Sequence, residues 1–155
     1  MSDRLQSWEL ASYIVTVFGL PYAIWIFGVE KRRQIKAEEA ELYQRLSDEY
    51  SAFLKLLLEN ADLHMMNVTP YDERDLSPEQ RERKQIIFEI LIALFERAFI
   101  LSYSTRMSRQ QKRLWASWED YIHFWCSRAD FQEVLPKLLE GEDPEFQAYI
   151  KKVQV

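Results

Sequence analysis

Cysteine is almost missing from this chain: Cys126 stands alone, which excludes an internal disulfide and fits a reducing compartment. Glycine and proline are scarce too, three and five in 155 residues. With Leu, Glu, Lys, Arg, Gln and Ala plentiful, that scarcity disfavours β-sandwiches and disorder and favours helices. A strong positive charge is also lacking. Lys and Arg number 20 against 25 Asp and Glu, a net −5, so no nucleic acid is expected as a partner. No repeat, low-complexity run, Gly-rich phosphate loop or Ser-His-Asp pattern occurs. Aromatic residues are abundant instead, at 14% with five Trp, and they imply a core or interface built from large rings.

One long stretch has no charge at all. Leu10 to Val29 contains no Asp, Glu, Lys or Arg, and as a helix it would reach roughly 30 Å, the thickness of a bilayer's hydrocarbon core. Trp8 and Tyr13 stand toward one end and Trp25 toward the other, as interfacial rings do. The basic residues Lys31, Arg32, Arg33 and Lys36 follow the stretch, the wrong side for a cleaved signal peptide. These features predict a single-pass protein of an inner (plasma) membrane, a bacterial one by default. Residues 1–9 would lie outside, 10–29 would cross, and 30–155 would form a cytoplasmic domain. Ser12, Thr16, Gly19 and Ala23 repeat at helical spacing, a stripe of small residues on which a second membrane helix would pack. Pro21 would kink that helix.

No breaker occurs between Pro21 and Pro70, so the span is expected to continue as one helix to about Asn60. Ile35, Leu42, Leu46, Tyr50, Phe53 and Leu57 form a seam of heptad-like spacing along it. Residues 61–76 read as a loop. Ser77-Pro78-Glu79-Gln80 and Ser108 to Gln111 read as capping boxes opening two helices. The first contains the apolar run 86–103. Glu89, Glu96 and Arg97 interrupt that run and argue against a second span; they are expected to form a buried polar network in a central helix. The second carries Trp115, Trp118, Ile122 and Trp125 on one aromatic face, a possible protein-binding surface. Asp130 to Glu133 reads as a further capping box, with Pro136 bending its helix and Gly141 closing it. Asp143-Pro144-Glu145 opens a last helix. The fold expected is all-α: an N-terminal transmembrane helix continuing into a long helix, then a cytoplasmic helical bundle.

Arg106, Arg109, Lys112 and Arg113 follow the central helix with no acidic residue among them. If that helix runs antiparallel to the first, they join Lys31, Arg32, Arg33 and Lys36 as a membrane-proximal basic cluster facing an anionic leaflet. Phosphate or nucleotide binding by the same arginines is a weaker reading. Glu119, His123 and Cys126 share a helical face, but Cys126 has no cysteine partner and the Glu-x-x-His pairs of a di-iron bundle are missing. No metal, cofactor or catalytic residue is therefore assigned, and no enzyme is expected.

An anchor followed by a compact helical bundle resembles small membrane accessory proteins of bacterial defence systems, some with a HEPN-like bundle. The HEPN ribonuclease pattern, Arg followed by His after four to six residues, does not occur before His64 or His123, so ribonuclease activity does not carry over. Trp115 to Ile122 and Leu135 to Gly141 also resemble a family of uncharacterised bacterial membrane proteins, which implies no activity. The expected function is a membrane-tethered, non-enzymatic interaction module. It would self-associate through the small-residue stripe and the long helix's seam. The alternatives are an oligomeric pore or effector gated by the bundle, and a ligand or nucleotide sensor using the basic cluster.

Overall fold

The computed structural model describes residues 2–66 and 76–153, with side chains from Pro21 onward within them. All regular structure among these residues is helical: α1 (Ser2–Glu59), a 3-10 turn (Ala61–Leu63), α2 (Pro78–Ser102), α3 (Arg109–Cys126), α4 (Ala129–Leu138) and α5 (Pro144–Val153). The expected all-α class stands. The chain divides into two units, Met1–Leu42 and Tyr43–Val155, and α1 contributes to both.

In the first unit the side chains of Tyr22, Ile24, Trp25 and Phe27 are exposed, and Tyr22 stacks on Trp25 with ring centroids 6.2 Å apart. The expected membrane location is overturned here. No helix among the described residues is long and apolar enough to cross a membrane. From Pro21, the uncharged stretch extends only to Val29 before Glu30 and the basic residues begin. That is roughly 14 Å of helix, about half a hydrocarbon core. The rest of the anticipated span, Leu10 to Leu20, has no described side chains.

The second unit is a bundle assembled around aromatic rings. The heptad-like seam supplies its first wall: Leu46, Tyr50, Phe53 and Leu57 are all buried. Tyr50 stacks on Tyr121 of α3 at 4.0 Å between centroids, and Phe53 meets Trp125 edge-on. This part of the seam therefore packs inside its own bundle and does not offer itself for self-association. Helix α2 contacts α3, α4 and α5. Phe88 meets Trp125 and Phe131, and Phe99 meets Trp115 and Phe146, at angles that favour the ring quadrupoles.

Local signals set the helix starts. At Ser77/Gln80 and Ser108/Gln111 each Ser hydroxyl accepts the N3 amide N–H while the Gln carbonyl oxygen accepts the N-cap N–H, the full reciprocal capping box. Asp143 accepts from the amides of Glu145 and Phe146 and starts α5. The third expected box does not form. Helix α4 begins two residues early with Arg128 at its N-cap and no side-chain cap, because Asp130 is engaged by Arg128 and by Lys84 of α2. Pro136 stays within α4, and the turn after it closes through Gly141 at φ 91°, a conformation side chains other than glycine's resist. Between α1 and α2, hydrogen bonds from Gln80 and Arg83 hold Asp62 below the usual carboxylate range. Of the expected loop, residues 67–75 lie outside the described residues.

Candidate functional site

The aromatic face of α3 is not a surface. Trp115 is 3% exposed and Trp125 fully buried, with Trp118 and Ile122 equally enclosed. Spacing located the face correctly, but α1, α2 and α4 supply rings to cover it. No partner protein reaches it without opening the bundle.

The polar residues of α2 are likewise displaced from expectation. Glu89 and Arg97 are exposed and Glu96 is half-buried, so they do not form a buried network. Glu89 accepts a hydrogen bond from Gln85 of its own helix at 3.2 Å. Arg97 donates to Glu49 of α1 at 2.7 Å. Glu96 turns the other way and accepts the backbone N–H of Asp143, at the start of α5. Beside it, burial and then the Glu96 carboxyl push Glu142 up to about 7. The buried charge of this helix is Lys84, whose ammonium lies 2.9 Å from Asp130. Burial alone would raise the Asp130 carboxyl, yet hydrogen bonds and charge from Arg128 and Lys84 outweigh it and hold the group below its ordinary value. Lys84 did not stand out in the sequence, and Asp130 did so only as a helix cap. The signal that would have found them is a lysine at a core-facing position of an otherwise apolar stripe.

The basic residues divide between the two units. Lys31, Arg32, Arg33 and Lys36 are exposed on α1 in the first. In the second, Arg106, Arg109, Lys112 and Arg113 are exposed, and Arg109, Gln110 and Arg113 line an open depression of about 530 Å³. Of the small-residue stripe, Ser12, Thr16 and Gly19 have no described side chains, while Ala23 is exposed. On α3, Cys126 faces the core, where burial pushes its thiol up to about 11, whereas His123 and Glu119 face outward. Among the described residues no three His, Cys, Asp or Glu side chains stand together in a way that could hold a metal ion.

What the bundle leaves uncovered is the outer face of α2. Ile86, Ile90 and Ile100 are 49%, 44% and 58% exposed, and Leu101 and Ala93 are exposed with them. At 100° per residue these side chains, with Glu89 and Arg97, occupy one arc of about 120°. The opposite face of the same helix supplies Phe88, Leu91, Phe95 and Ala98 to the core. A helix apolar on both faces has more apolar surface than one bundle covers.

Comparison with protein-family models, with curated proteins and with solved structures finds no match. The reading of function therefore rests on the residues themselves.

Proposed function

We propose that this chain is a non-enzymatic helical interaction module that acts by self-association. The observation that carries the reading is the exposed apolar face of α2 on a bundle whose other large rows of apolar side chains are enclosed. Scattered surface Leu or Ile is ordinary, but a continuous row along several helical turns is the pattern of a surface awaiting a partner. Helix-on-helix contact of this extent sits at the small end of specific interfaces, so the association is reversible and concentration-dependent. Sedimentation equilibrium of the full chain across a wide concentration range tests it. A mass rising from one chain toward a multiple is expected; the mass of one chain throughout would overturn the reading.

A second reading attaches to the depression lined by Arg109, Gln110 and Arg113. Two guanidinium groups a helical turn apart suit an anionic ligand, which would make the module a phosphate-ligand sensor. Calorimetric titration with inorganic pyrophosphate is the direct check, and an absence of heat that persists at low salt would remove this reading.

A further inference from the structure

In the first unit the polarity of α1 changes in layers along the axis, not in stripes around it. Ile24, Trp25, Ile26 and Phe27 are 65%, 64%, 45% and 69% exposed. Four successive residues, about 100° apart, point in four directions round a helix, so this belt is apolar on every side. Tyr22 is 62% exposed and stacks on Trp25, extending the belt toward the N-terminus. Lys31, Arg32 and Arg33 follow, exposed and again spread round the axis, with Lys36 a turn further on. Set against Glu30, these four cations give residues 30–36 a net charge of +3 in a chain whose total is −5. The sign then reverses at Glu38, Glu39 and Glu41.

A partner helix or groove calls for a lateral stripe, apolar on one side of the helix and polar on the other. Tyr22 to Lys36 offers axial layers instead, and the surface that fits them must itself pass from apolar to anionic along one direction. A leaflet of anionic lipid does so, acyl chains giving way to charged headgroups. The dimensions agree: Pro21 to Val29 reaches roughly half a hydrocarbon core, and Lys31 to Lys36 spans roughly 8 Å, the depth of a headgroup layer. Tyr22 and Trp25 are the ring types that settle where those two layers meet. An acidic peptide would meet the cations but leave the rings uncovered. A second copy lying parallel would set the two cationic belts level with each other, with like charges in contact.

We propose that Tyr22 to Lys36 is a docking surface for anionic lipid: the apolar belt enters one leaflet, and Lys31, Arg32, Arg33 and Lys36 meet its anionic headgroups. The contact joins two belts to one leaflet and requires no crossing of the bilayer. It uses the first unit alone and is independent of self-association through α2. Each cation near an anionic surface strengthens binding about fivefold, and salt screens that part of the attraction.

Co-sedimentation of the full chain with vesicles tests it, phosphatidylcholine alone against phosphatidylcholine mixed with phosphatidylglycerol. At low salt, binding to the anionic vesicles is expected to be at least about thirtyfold tighter, and high salt should remove most of that difference. Arg32→Glu with Arg33→Glu is expected to weaken anionic binding by about thirtyfold or more. Trp25→Ser with Phe27→Ser should weaken it about tenfold, through lost apolar contact. All four side chains are exposed, and circular dichroism checks that each variant keeps its helices. Equal binding to both kinds of vesicle, binding to neither, or binding that neither pair of substitutions changes would overturn the proposal. So would capture of poly-glutamate in preference to anionic vesicles, or a lipid-free oligomer that Trp25→Ser with Phe27→Ser dissolves; these would assign the surface to an acidic protein and to a second copy.

Discussion

Helices α2 and α3 both carry long rows of apolar side chains, and they end in opposite situations. On α3 the row of Trp115, Trp118, Ile122 and Trp125 faces inward and meets rings from α1, α2 and α4, while its opposite face is polar. One partnership satisfies it. Helix α2 has an inner row of comparable size, Phe88, Leu91, Phe95 and Phe99, but carries Ile86, Ile90 and Ile100 on its outer face as well. A helix with one apolar stripe is a structural element; a helix with two opposed stripes has one to spare for another molecule. The charged residues of α2 follow the same division. Lys84 and Glu96, on or beside the inner side, are bound to Asp130 and to the α5 start, and Glu89 and Arg97 border the outer row.

That contrast predicts a graded series of effects. Trp125→Ala removes a fully buried indole in contact with Phe53, Phe88 and Phe131, and urea denaturation should show about 3–5 kcal/mol lost. Asp130→Ala takes away the carboxylate shared by Lys84 and Arg128. With Asp130 itself slightly open to solvent, roughly 2–3 kcal/mol is expected in the same measurement.

Glu142 gives a pH-dependent effect. Its folded pKa of about 7 lies above the ordinary 4.5, so between these values the folded chain holds a proton that the unfolded chain releases. The stabilisation is complete below pH 4.5 and is lost as pH rises through 7. Thermal melts of wild type and Glu142→Gln should therefore diverge across that window by about 1 kcal/mol, solvent screening allowed for, with the wild type losing ground as pH rises. Least of all should Ile90→Ser on the outer face change folding: below about 0.5 kcal/mol by denaturation, while sedimentation shows the self-association weakened. A loss of stability as large as that of a core substitution would show that the outer face of α2 is part of the fold.

Much of the fold was legible in the sequence because local rules decide it. The Ser77 and Ser108 capping boxes are complete within four residues and formed as their patterns implied. Helical periodicity placed Leu46, Tyr50, Phe53 and Leu57 on one face and the α3 tryptophans on another. Periodicity states that side chains share a face; it does not state what covers that face. Hence two buried rows were read as docking surfaces. The Asp130 box failed for a related reason: a tertiary partner, Lys84, competes for the carboxylate that local capping would have used.

The anticipated span illustrates another boundary. A charge-free run is a fact of composition, yet crossing a bilayer needs a continuous apolar helix of sufficient length, and no helix among the described residues meets that requirement. Glu89, Glu96 and Arg97 were read as buried because a run of Ile, Leu and Phe surrounds them. Around a helix axis that run separates into an inner and an outer row; Glu89 and Arg97 fall on the outer one, and Glu96 lies half-buried between the two.

By itself, then, the sequence determined the all-helical class, the starts of α2, α3 and α5 and which side chains lie on a common face, since all three depend on interactions within a turn or two of chain. Only the tertiary structure decided which faces are enclosed, which carboxylate takes Lys84 and Arg128, and which apolar row is left over. Those outcomes depend on residues far apart in sequence competing for the same surface. The leftover row on α2, with Ala93 at its centre, exists because the bundle has one helix face more than it can cover.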